Sequence, residues 1–157
     1  MEPANKRTLS IVNRSGRRVS GVRLRHAVRT VFAQHGARNG EVSILLTSDE
    51  EIADLNRRFR NLDEPTDVLT FPSGSPLVLG DVAISVPYAE RQAQARGIPL
   101  ENELVYLTIH GALHLLGFDD ETEQDRRVMM SEMARTAEAM GLKADAEWHS
   151  LLHEGVK

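Results

Sequence analysis

The run His110-Gly111-Ala112-Leu113-His114-Leu115-Leu116-Gly117-Phe118-Asp119-Asp120 holds the residues best suited to chemistry in this chain. On a helix, positions i and i+4 lie on one face a turn apart, so His110 and His114 can meet a single metal ion. Gly117 then ends the helix and allows the positive-φ turn that folds the chain back. Such a turn can bring Asp119 or Asp120 towards the same ion. Two imidazoles and a carboxylate leave positions open for water and substrate, the layout of a catalytic centre rather than a structural one. Nitrogen and oxygen ligation in a tetrahedron favours zinc, and manganese or iron also tolerate the set. A histidine pair at this spacing often arises by chance. Here the pair sits in an otherwise apolar helix, where buried polar groups need partners.

The spacing also matches the metalloprotease pattern H-E-x-x-H-x-x-G-x-x-H, with two substitutions. Gly111 stands where that pattern has its catalytic glutamate, and Asp120 where it has the third histidine. Without the glutamate the base of proteolysis is missing, so peptidase chemistry is disfavoured.

The elements that must position these residues are legible in the hydrophobic pattern. Leu104, Val105, Leu107, Ile109, Leu113, Leu115 and Leu116 cover most of a helix circumference after Pro99, which predicts a buried central helix ended by Gly117. Strands are predicted at 8–12, 42–47, 68–71 and around Val82, Ile84 and Val86. A helix near Ser20 carries the stripe Val22, Leu24, Val28, Val31 and Phe32. Ser48-Asp49-Glu50-Glu51 has the form of a capping box, opening a helix whose apolar face is Ile52, Leu55 and Phe59. Pro87 and Gly97 bracket a further helix, and a last one from Thr122 turns Val128, Met129, Met133, Ala137 and Met140 inward. Four short strands and about five helices make an α/β (α+β) fold around one small mixed sheet, with the metal site at the end of the central buried helix. The short loop after residue 72 permits an antiparallel pairing of the third and fourth strands.

Composition bounds the protein. Its 157 residues fit one domain, 1–157, with a basic portion at 1–40 and a metal-site portion at 100–125. The chain has no cysteine, which excludes disulfides and thiolate ligands. No apolar run approaches the ~18–20 residues of a membrane span, and no signal-peptide pattern opens the chain, so a cytoplasmic home is expected. The net charge of −4 hides an asymmetry: residues 3–40 carry nine basic side chains and no acidic one, whereas residues 41–157 carry ten basic and 22 acidic. A basic segment of this kind suits either a polyanion partner or a solvated face. Tyr88, Tyr106 and the four phenylalanines show no aromatic–basic interleaving of the RNA-recognition type. His149 and His153 repeat the i, i+4 spacing but lack a following glycine and a third ligand, and read with Trp148 as a polar tail with one packing anchor.

The eleven-residue run resembles the H-G-x-L-H-L-x-G-[YF]-D-H signature of the YbeY family, bacterial metal-dependent endoribonucleases of ribosomal RNA maturation. Three other blocks resemble that family in order: Glu50–Arg60, Pro65–Pro72 and Leu79–Ser85. Together they span about residues 40–125. The resemblance implies an α/β fold with a metal in a cleft, held by His110, His114 and the residue at 120. Family members usually carry a third histidine there. Asp120 in its place is a harder ligand that lowers the charge of the site. Asp119 is expected to support it from behind or to ligate in its stead. Arg60 aligns with an arginine essential in the family, and its guanidinium suits a scissile phosphate. Asp67 and Asp81 read as turn or hydrogen-bonding residues.

The expected protein is therefore a single-strand-specific, metal-dependent endoribonuclease acting on ribosomal RNA, with Arg60 and His114 as its catalytic residues. It would use one divalent ion, Zn²⁺ ahead of Mn²⁺, Fe²⁺ or Ni²⁺, and would meet the ribosome or small-subunit proteins. The rival expectations are a ribosome-assembly factor with a structural metal, and a metal hydrolase of another substrate class.

Overall fold

The computed structural model describes residues 8–36, 41–74 and 78–142. Its elements run β1 (Thr8–Asn13), α1 (Gly21–Gln34), β2 (Glu41–Thr47), α2 (Asp49–Arg60), β3 (Val68–Pro72), β4 (Val78–Ser85), α3 (Val86–Arg96), α4 (Leu100–Leu115) and α5 (Glu123–Ala139). The strands form one mixed sheet in the order β1-β2-β4-β3. β1 and β4 flank β2 in parallel, and β3 pairs antiparallel with β4, Thr70 opposite Val82. The antiparallel hairpin permitted by the short loop is thus present.

Side chains alternate across the sheet, as strand geometry requires. Val42, Ile44, Leu46, Val68, Val82 and Ile84 point into the main core, shared with α1, α4 and α5. Leu45, Leu69, Phe71 and Ala83 face the other way, where Ile52 and Leu55 of α2 cover them. Central α4 is buried at nearly every position from Glu103 to Leu115. Each fully buried Leu, Ile or Val there contributes about 1.5–3 kcal/mol relative to exposure. Three residues depart from their expected inward stripes. Val22 is 73% exposed, Phe59 59% and Val128 46%, each at the margin of a helix face that curves away from the core. His149, His153 and Trp148 lie outside the described residues. Among the described residues, no helix is long and apolar enough to cross a membrane.

Gly111 has a packing reason that its sequence position alone does not reveal. A Cβ there would lie 2.8 Å from Val82 Cγ1 and 3.5 Å from Thr70 Cγ2, so α4 sits on the sheet closer than any side chain allows. Alanine would gain up to about 1 kcal/mol of helix propensity. Pushing α4 off a stiff, β-branched valine costs more. Gly111→Ala is expected to destabilise the fold by about 1–3 kcal/mol, read as a lower urea midpoint at unchanged m-value. An unchanged midpoint would show that the helix and sheet can separate freely.

Part of the charge asymmetry resolves inside the molecule. Arg14 pairs with Glu51 at 3.0 Å, and Arg23 with Glu101 at 3.3 Å. Arg17 holds Glu90 through two hydrogen bonds of 2.6 and 2.7 Å. Those bonds keep the Glu90 carboxyl below its ordinary range. Arg25 donates to the Leu9 carbonyl at 2.6 Å. Four of the nine basic side chains in this segment therefore have partners within the fold. Exposed pairs of this kind contribute little stability each.

Candidate metal centre and its cleft

His110 and His114 project from the last turns of α4. Gly117, at φ +103°, turns the chain after the helix. The Phe118 N–H then returns to the Leu113 carbonyl at 3.0 Å, and the Gly117 N–H to the His114 carbonyl at 3.0 Å. This closure brings the Phe118 carbonyl within 2.9 Å of His114 Nδ1. A carbonyl only accepts, so Nδ1 carries the proton, and Nε2 is the ring nitrogen turned away from Phe118. On the far side of the loop, Arg126 of α5 donates to the Asp120 carbonyl at 3.1 Å. Thr122 caps α5 by accepting from the Asp125 N–H at 3.0 Å. The loop between two helices is pinned at both ends, and Asp120 is carried with it.

The result is a convergence of three ligand atoms. His110 Nε2 and His114 Nε2 lie 3.1 Å apart, and Asp120 Oδ2 is 3.6 Å from each. Bonds of about 2.0–2.1 Å to a tetrahedral ion imply ligand–ligand edges of about 3.3–3.4 Å. The observed triangle brackets that value, and its donors are the nitrogen and oxygen types a borderline divalent cation accepts. The residues therefore fit such an ion. Among the described residues, these three form the group of His, Asp and Glu that could hold a metal. Asp119 plays a different part, for its Oδ1 accepts from the Asp120 N–H at 2.7 Å and braces the loop.

The triad opens into a cleft of about 580 Å³ that Arg60 also lines. Arg60 Nη2 donates to the Thr70 carbonyl at 2.7 Å, and its guanidinium lies over Phe71, 5.2 Å from the ring centroid. The side chain is thereby held on the β3 edge, and among the described residues its other donors have no hydrogen-bond acceptor. Glu64, Asp119, Asp120 and Glu121 line the same cleft, and among the described residues Arg60 is its one arginine or lysine. A cavity so lined attracts cations, and Arg60 is the lining side chain whose charge suits an anion.

Several lining residues carry no signal in the sequence. Asn56 is buried, and its Nδ2 donates to the Glu64 carbonyl at 2.9 Å, tying the loop after α2 to the helix. Tyr88 lines the cleft from α3, and burial, helped by the charge of Asp67, raises its phenol above the ordinary range. It is a neutral donor at physiological pH. No spacing rule could have found either, since both reach the cleft only through tertiary packing. Asp67 is fully buried and accepts from the Val68 N–H at 2.7 Å and from Gln92 at 3.3 Å. Gln92 also donates to Glu103 at 2.9 Å. This network fastens the start of β3 to α3 and α4, the structural role expected for Asp67. Asp81 is exposed on β4.

The family described as Endoribonuclease YbeY matches residues 10–141. The chain belongs to the YbeY family. The match begins well upstream of the motif blocks, so β1 and α1 belong to the shared fold along with the cleft. The chain is 44% identical over 115 residues to the Endoribonuclease YbeY of Persephonella marina, covering 69% of this chain and 75% of that protein. It is 39% identical over 134 residues to the Endoribonuclease YbeY of Shouchella clausii, covering 76% and 82%. Its fold is similar to the solution structure of a Thermotoga maritima protein, with a TM-score of 0.61 and 27% identity over 87% of this chain and 90% of the other.

Proposed function

We propose that this chain is a metal-dependent endoribonuclease that hydrolyses single-stranded RNA and acts in the maturation of ribosomal RNA. What carries the reading is the convergence of His110 Nε2, His114 Nε2 and Asp120 Oδ2 in one cleft with Arg60, in a member of the YbeY family. His110, His114 and Asp120 would hold one divalent ion, Zn²⁺ first by its preference for tetrahedral nitrogen and oxygen ligands, with Mn²⁺, Fe²⁺ or Ni²⁺ as alternatives. Such an ion, when bound, supplies Lewis acidity towards a phosphoryl oxygen and makes water more acidic.

The remaining work belongs to the chain. Arg60, fixed by Thr70 and Phe71, offers its free N–H groups to the phosphate and to the charge that develops there. His114 is held by the Phe118 carbonyl in the tautomer that presents Nε2 to the centre. The Gly111 position, which carries the base in the peptidase pattern, faces Val82 and leaves no room for a glutamate. That favours phosphodiester over peptide hydrolysis. Ribosomal RNA in the cytoplasm, with the ribosome or its small-subunit proteins as partners, is the setting that family membership supports.

Chelation tests the reading. Treating the full chain with EDTA is expected to abolish cleavage of an unstructured RNA, and adding back Zn²⁺ or Mn²⁺ to restore it. Cleavage at the original rate after complete metal removal would overturn the proposal.

A further inference from the structure

Phe59 is the last member of the α2 stripe and also a large apolar side chain left 59% exposed. It does not stand alone. Its ring meets Phe71 edge-on, with centroids 5.2 Å apart and planes at 66°. Arg58 lies over Phe59 at 5.8 Å, and Arg60 over Phe71 at 5.2 Å. Leu62, 43% exposed, lines the cleft immediately beyond. Aromatic–basic interleaving, absent along the chain as a linear pattern, is assembled here by two elements, the end of α2 and the edge strand β3.

From this arrangement we infer that Phe59 and Phe71, with Arg58 and Arg60, form a stacking platform for an unpaired nucleobase of the RNA next to the scissile phosphate. Three observations carry it. Arg60 belongs to both features, since it lines the cleft and rests on Phe71, so the platform is continuous with the site. Guanidinium groups beside aromatic rings match a ligand that alternates flat bases with phosphates. A ring needed only to cover the sheet would be drawn in beside Ile52, which is fully buried. Bases in a duplex are already stacked on each other, so a platform of this kind selects single strands.

The inference rests on the proposed RNA cleavage, and its test separates the two. Full-length wild type, Phe59→Leu and Phe59→Trp are compared for cleavage of an unstructured RNA, and for binding of that strand and of its duplex. Leucine keeps apolar cover over the sheet but removes the ring; tryptophan keeps a ring. Phe59→Leu is expected to raise KM and weaken single-strand binding by about tenfold, with kcat and duplex binding within about twofold. Phe59→Trp is expected to behave as wild type. Unchanged single-strand binding in Phe59→Leu overturns the platform while leaving the nuclease reading intact. Equal loss of single-strand and duplex binding, with a lowered melting temperature, also overturns it and makes Phe59 a packing residue. Wild type that neither binds nor cuts RNA overturns both proposals.

Discussion

His114→Ala is expected to lower kcat/KM for RNA cleavage on the order of 10³-fold and to leave the protein largely without bound metal after purification. His114 Nε2 stands 3.1 Å from His110 Nε2 and 3.6 Å from Asp120 Oδ2, so its removal leaves two ligand atoms that can no longer enclose a tetrahedral position. Metal Lewis acidity contributes several kcal/mol to charge stabilisation in hydrolysis, and each factor of ten in rate corresponds to about 1.36 kcal/mol. His114 is also the better histidine to remove. Its side chain is 18% exposed against 6% for His110, so truncation opens less of a void in the core. The chief structural loss is the hydrogen bond to the Phe118 carbonyl, about 1 kcal/mol. Elemental analysis, single-turnover cleavage and thermal melting of the same preparation check the result. A folded, metal-loaded variant with full activity would remove His114 from the centre. Loss of folding together with metal would favour the rival in which the ion is structural.

Arg60→Ala is expected to lower kcat/KM by about 10²–10³-fold, the usual effect of removing one preorganised donor from a developing oxyanion. Here the electrostatics of the cleft enlarge the consequence. Glu64, Asp119, Asp120 and Glu121 line the cleft, and among the described residues Arg60 is the lining guanidinium that offsets them. Arg60→Lys is expected to recover only part of the loss. A lysine ammonium can replace the charge, but it cannot both donate to the Thr70 carbonyl and present a planar fork to phosphate. Stability should change little, because the group is at the surface. Steady-state kinetics of the three proteins on one RNA, with metal content measured alongside, decide the matter. Retained kcat/KM in Arg60→Ala would place the arginine outside the reaction.

Local rules reach a long way where the determinants are local. Every strand and helix is legible because alternation and the helical period are properties of neighbouring residues. The capping serines and the glycines after α3, α4 and α5 mark their ends by the same logic. The histidine pair is visible for that reason too: positions i and i+4 share a face on any helix. Expectation and structure part where exposure depends on what lies across from a helix. Val22 and Val128 fit their stripes yet stay exposed, since the helical period alone does not say which margin of a stripe is covered. The charge asymmetry is likewise partly redistributed by folding. Arg14, Arg17 and Arg23 are far along the chain from Glu51, Glu90 and Glu101, and only folding brings them into pairs.

The sequence thus specifies the candidate ligand types, their spacing, the helix that carries two of them and the glycine that lets the third return. Its spacing favours Asp120 over Asp119 as the third candidate ligand, although a turn of two or three residues can present either side chain. Only the fold shows the loop held at both ends, by the Phe118 carbonyl on His114 and by Arg126 on the Asp120 carbonyl. The approach of Arg60 to the same cleft, the edge-on contact of Phe59 with Phe71 and the place of Gly111 against Val82 are likewise contacts between different elements. Such contacts depend on how helices seat on the sheet, and no period within one helix encodes that distance.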